Sequence, residues 1–326
     1  MKLVTYKPVD NQFVGSRVGV IVDAGVVDVN YAYAALAVSQ GQDVTDRRLV
    51  DATVPDDLVD ILTGGQRTLD TIWDAVHFVE SNGVERGPDG ERVLYALDDV
   101  KLLAPIRRPG KILAAGKNYA DHVAETASSH PAAPSDEKPI PRGFVKVSSV
   151  VVGPNEPVVV PSVTEQLDYE VELALVIGKK GRYISRDHAY EYIAGYTVLN
   201  DISARDIQFE ESAKGNHLVG KNIDGFAPMG PWLVTKDEIP DPMNLKLQLT
   251  VNGEVRQDAN TSTMIFDIPA LIERWSWMTL EPGDVIATGT PAGGALSGRF
   301  PYLKPTDVME ASVEGLGSLR TPLIAE

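Results

Sequence analysis

Leu167-Asp168-Tyr169-Glu170-Val171-Glu172-Leu173-Ala174-Leu175-Val176-Ile177-Gly178 decides how this chain is read, and Leu199-Asn200-Asp201 completes it about one crossover later. Side chains on a strand alternate between faces, so Glu170 and Glu172 share one side with Cα atoms roughly 6.5 Å apart. Val171, Leu173, Leu175 and Ile177 take the other, a core face. Two carboxylates on so apolar a strand repel each other and resist burial unless a cation neutralises them. Asp201, closing the next apolar run, supplies a third acid. Three hard oxygen donors in a chain without cysteine describe a site for a divalent ion, Mg²⁺ first, with Mn²⁺ or Ca²⁺ as alternatives. An isolated Glu-x-Glu is also the ordinary wet face of a half-exposed strand. The apolar run that follows this one, and the third acid at a strand end, set it apart.

The chain has 326 residues, enough for one small and one larger domain with real cores. Hydrophobic residues make up 43% and charged residues 23%, as in ordinary globular proteins. A formal net charge of −16 argues against nucleic acid, whose phosphates need clustered Lys and Arg, and against anionic membranes. A small anionic substrate stays open, since a local metal and a few cations override the global field. Without cysteine there are no disulfides and no thiolate ligands or nucleophiles. The N-terminal segment lacks a signal-peptide core and no window is apolar enough to span a bilayer, so the expected location is cytoplasmic.

Arg17–Asp23 and Val26–Val29 are expected to be strands flanking an Ala24-Gly25 turn. Pro55-Asp56-Asp57 opens an expected helix through Leu62, and Leu69, Ile72, Trp73, Val76 and Val79 recur at helical spacing. Pro105 and Pro109-Gly110 interrupt helix and ladder alike, which divides the chain into a small α+β domain, 1–105, and a catalytic domain, 106–326. A strand at 111–115 runs into Gly116-Lys117-Asn118-Tyr119 and a short helix carrying His122 and Glu125. Residues 128–141, rich in Ser, Pro and Ala, read as a mobile lid. Beyond Phe144 the sequence is mostly strands punctuated by turns, those at 157–161, 246–251 and 284–288 among them, with helical patterns at 186–192, 203–212 and 268–277. The pattern lacks regular βαβ alternation, so the fold class is α+β and mainly β.

Asp201-Ile202-Ser203-Ala204-Arg205-Asp206-Ile207-Gln208 reads as a strand end feeding a helix, with Asp201, Arg205 and Gln208 at i, i+4 and i+7 on one face. A metal-bound carboxylate beside a guanidinium and an amide suits the grip of an oxyanion. His122 and Glu125, three apart on a helix, place a carboxylate where it can orient an imidazole. Lys221 offers a further cation. Thr288-Gly289-Thr290-Pro291-Ala292-Gly293 is a glycine-bearing turn able to bring backbone N–H groups and a hydroxyl near a ligand.

Taken in order, Gly116-Lys117-Asn118-Tyr119 with His122, the 168–172 acids, Asn200–Asp206 with Gln208, Gly220-Lys221 and the 288–293 turn resemble the fumarylacetoacetate hydrolase family, in particular its acylpyruvase-like members. The resemblance covers roughly residues 105–326. It implies a mixed β-roll catalytic domain beside a smaller mixed N-terminal domain, assembly as a homodimer, and a metal held by Glu170, Glu172 and Asp201. Where the animal enzyme of the name has a fourth acidic ligand, this chain has Ala114, Ala115 and Gly116. The activity implied is metal-dependent hydrolysis of a carbon–carbon bond in an acylpyruvate or related 2,4-dioxo acid, releasing pyruvate. His122, oriented by Glu125, would deprotonate water, Arg205, Gln208 and Lys221 would stabilise the tetrahedral oxyanion, and Tyr119, Arg205, Gln208 and Thr290 would bind the 2-oxo acid. The alternatives are decarboxylation of an oxaloacetate-like 2-oxo diacid or isomerisation of a hydroxymuconate-type diene. From another class comes a metal-binding β protein without catalysis.

Overall fold

The strand Val171–Ile177 is buried at all seven positions, because it lies inside a large sheet with Ile193–Asn200 on one side and Val285–Ala287 on the other. The computed structural model describes residues 1–10, 15–127 and 140–326. Both faces of this strand meet apolar layers, where one core face had been expected. Val171, Leu173, Leu175 and Ile177 pack with Leu247, Leu249, Met309 and Leu319 of a second, five-stranded sheet. Ala174 and Val176, on the face of Glu172, pack with Leu58, Ile61, Ile72 and Val76 from the N-terminal helices. Helices, large sheet and small sheet thus form successive layers.

Along the large sheet the order is Leu94–Tyr95, Gly25–Asp28, Arg17–Val22, Lys2–Pro8, Ala227–Thr235, Ile193–Asn200, Val171–Ile177, Val285–Ala287, Ile112–Gly116 and Arg142–Lys146. Its ends do not meet, so it is open, and the architecture is mixed α and β dominated by sheet. The expected boundary near residue 105 falls between strands that share this sheet: Leu3 pairs with Leu233, and one apolar cluster contains Leu3, Val20, Ala114 and Val285.

Local chemistry shifts several expected boundaries. Asp28 ends its strand by capping the helix Val29–Ser39, its side chain accepting from Tyr31 N at 2.9 Å, so Val29 is helical. The hairpin turn consists of Asp23 and Ala24, since Val22 pairs with Gly25. Asp57 caps Leu58–Thr63 rather than lying inside a helix begun at Pro55. The next helix runs Gly65–Asn82, ending at Gly83 in the left-handed region. Residues 186–192 form a 3₁₀ helix, and the helix from Ile268 stops at Trp275. The expected lid lies, for residues 128–139, outside the described residues. Among the described residues no helix is long and apolar enough to cross a membrane.

Candidate metal and active site

Strand register brings the three acids together. Val171 pairs with Asn200, which sets Asp201 beside Glu170, and the backbone N of Asp201 donates to the carbonyl of Glu170 at 2.8 Å. Asn200 Oδ1 in turn accepts from Glu170 N at 2.9 Å. One carboxylate oxygen each from Glu170, Glu172 and Asp201 lies within 4.8 Å of the others, and all three residues are buried. This donor set fits a hard divalent cation.

Three buried cations face these acids. Lys221 Nζ donates to Glu170 Oε2 at 2.6 Å and to Asp201 Oδ2 at 2.7 Å. Lys146, wholly buried, sets its ammonium 2.6 Å from Asp201 Oδ1 and donates to the carbonyl of Lys221. Arg205 donates to Glu170 Oε1 at 2.6 Å and to Asp168 Oδ2 at 2.8 Å. Burial opposes ionisation of Glu170, yet Arg205 and Lys221 outweigh it and hold the carboxyl well below its usual range. Among the described residues Glu172 has no such ion pair: burial first, then Asp201 and Glu170, push its carboxyl well above the usual range.

The helix expected to carry Asp201, Arg205 and Gln208 begins only at Arg205, because Ser203–Ala204 pairs as a short strand with Leu167–Asp168. Asp201 therefore shares no helix face with Arg205, and Glu170 is what links them. Gln208 Oε1 accepts from Arg205 at 3.0 Å, one turn along the helix. Asp168 and Lys146 are the site residues that sequence reasoning passed over. Asp168 is fully buried and accepts from Ala295 N at 2.8 Å as well as from Arg205, which fixes the guanidinium in place. The acid two positions before the Glu-x-Glu was the available signal.

His122 and Glu125 lie on the helix Ala120–Ala127, with His122 Nδ1 3.5 Å from Glu125 Oε2, as their spacing suggested. The 288–293 turn serves protein carboxylates: Gly289 N donates to Glu172 Oε2 at 2.7 Å, and Gly293 N to both Glu125 oxygens at 3.2 Å. Both glycines have positive φ, +95° and +106°. A Cβ at Gly289 would stand 2.8 Å from that of Asn118, and one at Gly293 2.1 Å from the carbonyl of Arg256. Thr290 Oγ1 donates to Val171 O at 2.9 Å and accepts from Gln257 at 2.8 Å, so its hydroxyl is committed to the strand.

A cavity of about 390 Å³ opens onto these groups, walled among others by His122, Glu170, Arg205, Gln208, Lys221 and Thr290. Tyr119, expected on the substrate side, is instead fully buried in the core and absent from the wall. Burial, then Glu172 and Asp121, push its phenol far up.

A family model described as fumarylacetoacetate (FAA) hydrolase C-terminal matches residues 111–324. The chain is 37% identical over 292 residues to a mitochondrial oxaloacetate tautomerase of Xenopus laevis, covering 89% of this chain and 85% of that protein. It is 40% identical over 273 residues to an oxaloacetate tautomerase of Bacillus subtilis, covering 82% and 86%. Among solved structures, a maleylpyruvate hydrolase of Sphingobium in complex with manganese(II) and pyruvate superposes with a TM-score of 0.68 at 28% identity, covering 100% and 99%.

Proposed function

This chain belongs to the fumarylacetoacetate hydrolase family, and we propose that it interconverts the enol and keto forms of a small 2-oxo diacid of the oxaloacetate type at a divalent-metal centre. The likeness to two oxaloacetate tautomerases supports this over the hydrolysis first expected. So does one observation in the cavity: two of the three donors expected to hold a tetrahedral oxyanion, Arg205 and Lys221, are tied to carboxylates. Arg205 donates to Asp168 and Glu170, and Lys221 to Glu170 and Asp201. Isomerisation needs no such oxyanion.

A divalent cation held by Glu170, Glu172 and Asp201 would supply Lewis-acid stabilisation of negative charge on the 2-oxo oxygen. His122 would carry the proton between oxygen and C3, taking it from the enol as the O–H bond breaks and giving it up as the C3–H bond forms, with the same transfers reversed for enolisation. Glu125 would keep the imidazole oriented, its Oε2 lying 3.5 Å from His122 Nδ1. Lys221 and Lys146 hold Asp201, while Asp168 and Arg205 hold Glu170. The metal is taken as Mg²⁺ or Mn²⁺. The reading includes a homodimer, a cytoplasmic location, and no nucleic-acid or membrane partner.

Hydrolysis of an acylpyruvate is the second reading, favoured by the His122–Glu125 pair and the similarity to a maleylpyruvate hydrolase. The two separate in one assay series. Stopped-flow absorbance should show the metal-loaded protein accelerating decay of freshly formed oxaloacetate enol, with little pyruvate released from acylpyruvates. Rapid pyruvate release with no effect on the enol would transfer the assignment to hydrolysis.

A further inference from the structure

The cavity wall carries several cations in a chain with 46 acids against 30 Lys and Arg. Two stand together on the cavity wall, Lys117 and Arg142, and neither forms an ion pair among the described residues. They are neighbours by register, since Gly116 pairs with Arg142 across the strands Ile112–Gly116 and Arg142–Lys146. Lys117 has φ +56°, a conformation that side-chain-bearing residues rarely adopt. Asn118 holds the turn there, donating to Thr288 O at 2.8 Å and Phe266 O at 3.0 Å and accepting from Phe266 N at 2.8 Å. A non-glycine residue kept in such a conformation at a cavity points to a role for its side chain.

Alternation along the second strand sets Arg142, Phe144 and Lys146 on one face. Lys146 reaches Asp201, whereas Phe144 and Arg142 line the cavity. The wall thus leads from the acid cluster to a cationic end. Arg205 and Lys221, also on the wall, are already neutralised by carboxylates.

We propose that Lys117 and Arg142 form the subsite for the distal carboxylate of a 2-oxo diacid and so set a preference for dicarboxylates over monocarboxylates, an inference resting on the substrate class proposed above. Burial, then repulsion from Arg142, lowers the Lys117 pKa, as befits two like charges lacking an anion between them.

Calorimetry on the Mn²⁺-loaded protein, with 2-oxoglutarate and pyruvate as probes, tests this. The wild type should bind the diacid roughly 10- to 100-fold tighter, the scale of added charge-assisted hydrogen bonds. Lys117→Gln with Arg142→Gln should collapse that ratio while pyruvate affinity moves less than about threefold. Arg142 is exposed, so Arg142→Gln alone carries the test if the double variant does not fold. A wild type without the preference, or variants that keep it, would overturn the subsite. Diacid preference without enol turnover would instead sink the tautomerase reading and leave the subsite standing.

Discussion

Lys221 and Asp201 form a buried ion pair, Nζ to Oδ2 at 2.7 Å, inside the cluster of acids that would hold the metal. Asp168, Glu170, Glu172 and Asp201 are matched by Lys146, Lys221 and Arg205, one positive charge fewer than the carboxylates could carry. Glu172, the acid without a cation, is the one driven toward its protonated form. A divalent ion bound here would compete with a proton on Glu172.

Metal affinity should therefore rise with pH, because the cation displaces a proton from Glu172. Calorimetry in buffers of different ionisation enthalpy should register close to one proton released per ion bound. Binding with no proton release and no pH dependence would contradict the charge arrangement.

Glu172→Gln separates stability from binding. A folded-state pKa raised above the unfolded value makes the protonated form the stable one, so apo stability is greatest at low pH and falls as pH rises from the unfolded value through the raised one. The glutamine variant removes that loss. Its apo thermal midpoint near pH 7 should exceed the wild type's by roughly 2–4 °C or more, with metal binding lost. A lower midpoint with intact metal affinity would refute the assignment.

Lys221→Met leaves Glu170 and Asp201 short of a counter-charge. Loss of one partner from a buried pair costs about 3–5 kcal/mol. Denaturant unfolding should show that loss in the apo variant and recover much of it at saturating Mn²⁺. If metal gives no greater stabilisation to the variant than to the wild type, the lysine does not share its place with the ion.

For His122→Ala the expected effect is a fall in enol turnover of roughly 10²–10⁴, with metal affinity near wild type, since the imidazole handles a proton and is not among the clustered ligands. Glu125→Gln should do the same more mildly. Full turnover in His122→Ala would remove this residue from the chemistry.

Gly289→Ala tests the turn beneath Glu172. The added methyl lies 2.8 Å from Asn118 Cβ at φ +95°, so the loop must shift and draw its N–H away from the carboxylate. Stability should fall by roughly 1–3 kcal/mol and metal binding should weaken with it. An unchanged affinity would show that the Gly289 N–H does not position Glu172.

Glu170, Glu172 and Asp201 were legible before any coordinates because a period of two and an acid after an apolar run are local patterns. His122 and Glu125 were legible for the same reason, being one helical turn apart. Lys146 was not: a lysine ending a short strand looks like any edge cation until the fold carries it to Asp201, 55 positions along the chain. Tyr119 and Thr290 illustrate the reverse. Their sequence neighbours mark a site, but the fold buries Tyr119 fully and gives the Thr290 hydroxyl, on the cavity wall, a hydrogen bond to Val171.

What the amino-acid order determined by itself was the kind of chemistry: hard acids without thiols, a strand-rich chain, and a histidine beside a carboxylate. Only the tertiary structure decided which charges neutralise which. That depends on strand register and on buried partners distant in sequence, and in a low-dielectric interior those pairings set which carboxyl is held below its usual range and which is pushed above it.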